Sequence, residues 1–331
     1  MSAAAVKPRL GFLGVGWIGR HRLEAVAGTG IAEIAAVADA VPELAASVVE
    51  SLPGAVRMSS LGELLAAELD GLVIATPSAL HAEQAVAALE QGVAVFCQKP
   101  LARNAAETRR VIEAARRADR LLGVDMSYRH TAAMRAVREL VRTGRLGDVY
   151  AAELVFHNAY GPDKPWFYER SLSGGGCVMD LGIHLVDLAL WVLADSDVSR
   201  VSSALFSGGR RLRAPITEVE DFASIELQLA SGAQVRITCS WNLNAGRDAA
   251  IEASFYGTRG GASMRNVGGS FYDFIAEHYV GTSTKQLCGP PDAWGGRAAV
   301  AWARRLGESP AFDPDVEELA RLAEVLDQVY G

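Results

Sequence analysis

Residues 14 to 19 read Gly-Val-Gly-Trp-Ile-Gly, directly behind the apolar run Leu10 to Leu13 and ahead of a stretch, Ile18 to Val26, with helical spacing. A strand that turns into a helix so abruptly needs side chains out of the way at three places. Gly14 serves the tight turn, Gly16 a close approach of backbone to ligand, and Gly19 the contact of helix on strand. The helix N-terminus then offers free N–H groups and a positive partial charge to a pyrophosphate. Trp17 and Ile18, its first side chains, belong to the same candidate dinucleotide site. The next apolar run, Ile31 to Ala38, ends at Asp39, whose carboxylate is placed to accept hydrogen bonds from ribose hydroxyls. A 2′-phosphate would be repelled there and Ala40 offers no cation, so the pattern points to NAD(H) over NADP(H). Asp39 also stands where it could cap the helix opened by Pro42, and the two roles are compatible.

The first third continues the alternation. Leu72 to Ala75 reads as a strand closed by Thr76-Pro77-Ser78, Ala82 to Leu89 as a helix, Val93 to Cys97 as a strand closed by Gln98-Lys99-Pro100, Ala105 to Ala118 as a helix and Leu121 to Val124 as a strand. Strands alternating with helices imply parallel pairing, and nearly continuous apolar runs imply cover on both faces. After Tyr128 the period changes. A helix from Ala132 to Thr143 leads into strands of period two: Ala233, Val235, Ile237, Cys239 and Trp241 alternate with Gln234, Arg236, Thr238 and Ser240. Asp221 to Leu229 behaves alike, and Ser231-Gly232 joins the two as a hairpin. The expected fold is therefore α/β followed by α+β. A Rossmann domain with a parallel sheet spans 1–127, and a domain with a large, mostly antiparallel, open sheet spans 128–331. A helix from about Asp180 to Leu193 should cover the sheet's apolar side; the polar side meets solvent or a subunit. A final helix begun by Pro314 is free to pack back on the first domain.

A net charge of −7 argues against nucleic acid as a partner, because phosphate binding needs a basic surface. The four cysteines, Cys97, Cys177, Cys239 and Cys288, show no CxxC spacing and read as reduced thiols, so no metal is expected. No apolar core follows the basic residues at the start and no run of about 18 apolar residues occurs. A cytoplasmic protein without a membrane segment is expected.

Lys99 stands at a strand's carboxyl end, where open parallel sheets bind ligands, although a solvated surface lysine is the commoner case. Thr76, Pro77, Ser78 and Gln98 share that edge. In Gly174-Gly175-Gly176-Cys177-Val178-Met179-Asp180-Leu181-Gly182-Ile183-His184, the carboxylate and the imidazole are four apart and share one helix face. The surroundings are apolar, so both must be paired or hydrated; a capping Asp and a core His fit as well as a catalytic pair.

In this order GVGWIG, ATPSALH, QKP and SGGGCVMDLGIHLVDL, with RTGRLGDVY at the junction, resemble the glucose–fructose oxidoreductase/inositol dehydrogenase (Gfo/Idh/MocA) family over nearly the whole chain. The resemblance implies hydride transfer at a secondary alcohol or ketone of a sugar or cyclitol. It places His184 as general acid–base, Lys99 beside the reacting oxygen and Asp180 orienting substrate, and adds His81 to the cofactor residues. It also implies a cis bond before Pro100 and a homodimer or homotetramer through the open sheet face. The family usually has glutamate where this chain has Gln98. Arg129 and the polar, aromatic loop His157, Asn158, Tyr160 and Trp166 are substrate-facing candidates, with Asp187 a possible support for His184. Two other functions stay open: NAD-dependent glycoside cleavage, in which a transient oxidation assists elimination, and a non-catalytic NAD-sensing regulator.

Overall fold

The computed structural model describes residues 7–52, 54–194 and 197–331. The chain divides into two compact units. The first holds β1 (Arg9–Leu13), α1 (Trp17–Thr29), β2 (Glu33–Ala38), α2 (Pro42–Ser51), β3 (Val56–Arg57), α3 (Leu61–Leu65), β4 (Gly71–Ile74), α4 (Ser78–Glu90), β5 (Ala94–Cys97), α5 (Ala105–Ala118) and β6 (Leu122–Val124). Its six strands are parallel, in the order β3-β2-β1-β4-β5-β6. The order reverses between β1 and β4, and ligands bind beyond the strand ends at such a switch point. The runs Leu10, Phe12, Leu72 to Ile74 and Val95 to Cys97 are buried on both faces, as their lack of alternation requires.

The unit is completed by a late segment. Residues Gly295–Glu317 belong to it, including the helix Arg297–Glu308. Trp302 lies in the same core cluster as Phe96 and Val73, and its ring centroid is 5.6 Å from that of Phe96. Gly71 and Gly123 leave the room it fills: a Cβ at either would come within 2.7 Å of the Trp302 indole. Sequence patterning ended the first domain at 127 and offered the last helix as the returning piece. In the structure the returning piece is Gly295–Glu317, and the last helix, Glu318–Tyr330, belongs to the second unit. Pro314 opens a short 3-10 turn ahead of that helix rather than the helix itself.

The second unit is built on nine strands, labelled in chain order β7 (Val149–Asn158), β8 (Val198–Ser207), β9 (Arg210–Arg211), β10 (Phe222–Leu229), β11 (Gln234–Ser240), β12 (Ala249–Gly257), β13 (Gly261–Asn266), β14 (Phe274–Val280) and β15 (Ser283–Cys288). They lie in the order β15-β14-β13-β12-β7-β11-β10-β8-β9, antiparallel except for β7 beside β11. The hairpin β10–β11 pairs Ile225 with Ile237 and Leu227 with Val235, putting the apolar set on one face. The other face carries Glu226, Glu153 and Arg236, whose guanidinium lies 3.9 Å from each carboxylate.

The apolar face is covered by α6 (Ala132–Arg142), by the last helix, and by a helix whose regular part, Ile183–Leu193, is here called α8, following the single-turn α7 (Arg170–Ser173). By length and composition the helical stretch Arg170–Leu193 is apolar enough to cross a membrane, but 83% of its most apolar 18-residue window is buried inside the protein, as in a core helix. Cys97, Cys177 and Cys239 are buried and Cys288 is half-buried; all four are free thiols.

Candidate active site

In the first unit β1 runs into Gly14 at φ 86°, where a Cβ would stand 2.6 Å from the Ala75 carbonyl oxygen. A Cβ on Gly19 would stand 2.1 Å from the Gly14 oxygen, whereas one on Gly16 would meet nothing within 4 Å. The first and third glycines are thus required by packing, and the second leaves space for something outside the chain. No side chain caps α1 at Gly16, and Trp17 is 71% exposed beside it. Asp39 accepts from Val15 N at 2.6 Å through one oxygen and from Val41 N at 2.8 Å through the other. It therefore both props α2 and stands fixed against the glycine turn. These residues fit a dinucleotide.

At the end of β4, Thr76 donates through Oγ1 to Gln84 at 2.6 Å, Pro77 leads into α4, and Ser78 is buried. His81 is 1% exposed, with Nδ1 2.7 Å from the Pro100 carbonyl oxygen and Nε2 2.7 Å from that of Thr76. Burial pulls its pKa down. With both nitrogens turned to main-chain carbonyls, His81 braces two strand ends, a role the sequence reading did not foresee.

The Gln98 amide donates to Asp125 Oδ2 at 2.6 Å, an oxygen that also takes Arg22 Nε at 2.6 Å. The amide nitrogen is thus turned into the unit, onto Asp125. Lys99, next along, is half-buried, and the Lys99–Pro100 bond is cis, as the resemblance implied. Arg22 and Asp125 escaped the sequence reading because their positions, 103 apart, carry no local signal.

In the second unit the glycines Gly174 to Gly176 lead into a wide π-helical turn, Val178–Gly182, and then α8. Asp180 lies in that turn rather than in regular α-helix, and its Oδ2 accepts from Trp241 Nε1 at 3.0 Å. Turns of this kind recur at functional sites. His184, 6% exposed, meets Tyr128 edge-on at 4.9 Å between ring centroids. Tyr128 packs in turn on Phe156, Phe274 and Trp294, so an aromatic wall backs the imidazole. Burial drives the Tyr128 hydroxyl far above its usual pKa. This wall and Trp241 were not recognised in the sequence, where each aromatic reads as ordinary core.

The remaining candidates separate. Arg129 forms a two-pronged pair with Asp187, at 2.8 and 2.6 Å, so Asp187 serves Arg129, not His184, and the guanidinium is not free for substrate. His157 is in β7, not a loop. It bonds Ser240 Oγ at 2.8 Å and Thr238 Oγ1 at 3.3 Å on the sheet face opposite α8, because side chains alternate along a strand; this removes it from the His184 side. Asn158 ends the same strand with the other orientation. Tyr160 is exposed near Phe271, and Trp166 stacks on Phe167, whose ring meets Trp241 edge-on.

Beneath the glycines lies Glu220, fully buried. Burial raises its carboxyl above the usual range, against donors at Val178, Tyr330 and Gly176. A raised carboxyl means the folded protein holds this proton more tightly than the unfolded chain. Its stabilising contribution is then complete below the unfolded carboxylate pKa, about 4.3, and declines as pH rises through the folded value. Glu220→Gln is expected to flatten the fall in Tm between acidic and neutral pH; an unchanged slope in thermal scans would contradict this.

The description "Oxidoreductase family, NAD-binding Rossmann fold" matches residues 8–126, and "GFO/IDH/MocA C-terminal domain" matches residues 134–263. An inositol 2-dehydrogenase of Rhizobium meliloti (strain 1021) is 32% identical over 262 residues, 78% of this chain and 76% of that one. Inositol 2-dehydrogenase 3 of Saccharopolyspora erythraea is 29% identical over 319 residues, 88% of this chain and 90% of its own. A levoglucosan dehydrogenase solved with NADH superposes with a TM-score of 0.82 at 20% identity, covering 98% of this chain and 96% of that one. At that identity the likeness speaks for the fold alone. With both halves matched, the chain belongs to the Gfo/Idh/MocA family and is an NAD-binding oxidoreductase.

Proposed function

We propose that this oxidoreductase interconverts a secondary alcohol and its ketone on a sugar or cyclitol. The observation that carries the reading is the pairing of Asp180 and His184 at one helix entry, against a wall of aromatic rings. Aromatic faces with a few placed polar groups suit a polyhydroxylated ring. Two relatives named above are inositol dehydrogenases.

When bound, the nicotinamide supplies the hydride acceptor or donor. Gly14, Gly16, Gly19 and the first turn of α1 would hold the pyrophosphate, and Asp39 the adenosine ribose. His184 takes the hydroxyl proton as the carbonyl forms and returns it in the reverse direction; imidazole titrates near neutral pH and suits both. The reading requires the Lys99 ammonium at the same oxygen, where it offsets developing alkoxide charge. Asp180, oriented by Trp241, accepts from a neighbouring substrate hydroxyl.

The test is a panel of inositols, polyols and sugars with NAD, read as NADH absorbance, followed by nucleotide-sugar ketones with NADH. Glycoside consumed without net NADH would favour redox-assisted elimination instead. Silence on the whole panel with tight NADH binding would favour a sensor.

Asp39 makes a further prediction. Catalytic efficiency with NAD exceeds that with NADP, and Asp39→Ala narrows the gap by about ten- to a hundred-fold, the worth of hydrogen bonds to a charged acceptor. Equal efficiency with both cofactors in the unaltered enzyme would refute it. We also assign self-association to the polar sheet face that bears Glu153, Glu226 and Arg236, to be checked by light scattering of the protein and of Arg236→Glu.

A further inference from the structure

We propose that Glu220 is a positioning residue: it sets the entry of the helix carrying Asp180 and His184, and through Tyr330 ties that entry to the last helix of the chain. The inference rests on the acid–base reading of His184 given above.

The entry begins without help from its own sequence. No side chain at Cys177 caps it, and it opens in a wide π turn, a geometry that is rare in helices. The first N–H groups of any helix lack partners within it. Here one distant residue satisfies three in succession. Glu220 Oε1 accepts from Gly176 N and Val178 N, each at 2.9 Å, and the Glu220 main-chain oxygen accepts from Cys177 N at 3.0 Å. The same Oε1 accepts from the Tyr330 hydroxyl at 2.9 Å.

The glycines are explained by this contact. A Cβ on Gly176 would lie 1.9 Å from the Glu220 oxygen, and one on Gly175 1.9 Å from the Tyr330 hydroxyl. The loop therefore approaches Glu220 and Tyr330 as closely as backbone alone allows. Tyr330 is itself held, with the Arg170 guanidinium 4.3 Å above its ring. From the far side, Trp241 holds Asp180. Asp180 is two residues past Val178, and His184 follows one turn on, so any shift of the entry moves both. A misplacement of about 1 Å at a reacting centre is enough to cost roughly a hundred-fold in rate.

The variants Glu220→Ala, Glu220→Gln and Tyr330→Phe test this in the full chain. Glu220→Ala is expected to lower kcat at least ten-fold, on the panel compound that turns over fastest, with the Kd for NADH within two-fold. Glu220→Gln, whose amide oxygen can accept the same bonds, stays within three-fold, and Tyr330→Phe loses about three-fold. A second readout needs no substrate. The imidazole resonance that vanishes in His184→Ala shifts in Glu220→Ala and returns in Glu220→Gln. Unaltered kcat and resonance in Glu220→Ala overturn the proposal, as does a Gln variant no better than Ala. If Glu220→Ala does not fold, Tyr330→Phe with wild-type kcat and resonance overturns it. His184→Ala, assayed in parallel, separates the two readings. Turnover retained there removes the acid–base assignment, whereas turnover lost there and kept in Glu220→Ala removes the positioning role alone.

Discussion

His184→Ala is expected to lower kcat on a competent polyol by roughly 10²–10⁴-fold, the range a positioned general acid–base supplies, while NADH binds as before. The ring is 6% exposed and set by Tyr128, so a solvent buffer has poor access to the vacated position. Lys99→Ala should cost a comparable factor by a different route. On the proposed reading it removes a cation that offsets developing alkoxide charge, a loss that falls on kcat more than on KM because the charge grows only toward the transition state. Lys99→Arg should not restore it, since the planar fork does not reproduce a point charge. Steady-state kinetics and NADH fluorescence titration on both alanine variants decide the matter. Turnover near wild type in either would strip that residue of its role.

The largest expected effect on stability comes from a buried pair behind the strand end that carries Lys99. Arg22 and Asp125 form an ion pair with side-chain exposures of 7% and 0%. Arg22→Ala should cost about 3–5 kcal/mol, because it strands a buried carboxylate. Asp125 Oδ1 already lacks a hydrogen-bond partner among the described residues, so the carboxylate has little else to turn to. The double variant Arg22→Ala/Asp125→Ala should recover part of the loss, having no charge left to bury. Gln98 enters the same account. Its amide gives Asp125 a neutral donor at 2.6 Å. Gln98→Glu would set a second carboxylate there against a single guanidinium, and like charges in a buried site resist joint ionisation. Urea denaturation of the four proteins checks this; an Arg22→Ala variant within 1 kcal/mol of wild type would show that the pair carries no such weight.

What could be read from the residues followed their periodicity. Five of the six parallel strands declared themselves through continuous apolar runs, and β10 and β11 through strict alternation, because local burial dictates both; β3, two exposed residues, carries no such run and went unread. The glycines at 14 and 19 were legible from their spacing after a strand, although only Gly19 packs locally, on Gly14, while Gly14 packs on Ala75 beyond β4. Failures came where the deciding contact was remote. His81 stood beside Thr76 as a cofactor residue, with nothing to show that the carbonyl of Pro100 would take its second nitrogen. Arg129 looked available until Asp187, on another helix, claimed it. His157 was read as part of a loop, whereas it lies within β7, where strand alternation sets its side chain on the face away from α8. Glu220 left no trace, since the three N–H groups it serves lie more than forty positions away.

The placement of Arg297–Glu308 in the core of the first unit bears on how the polypeptide is made. Trp302 and its neighbours fill the slot beside Gly71 and Gly123, yet they leave the ribosome long after β6. At about 5–20 residues per second, the interval is on the order of ten to thirty seconds. Throughout that time the nascent nucleotide-binding half displays an open apolar trough, a natural target for chaperones and a hazard in any shortened version of the gene product.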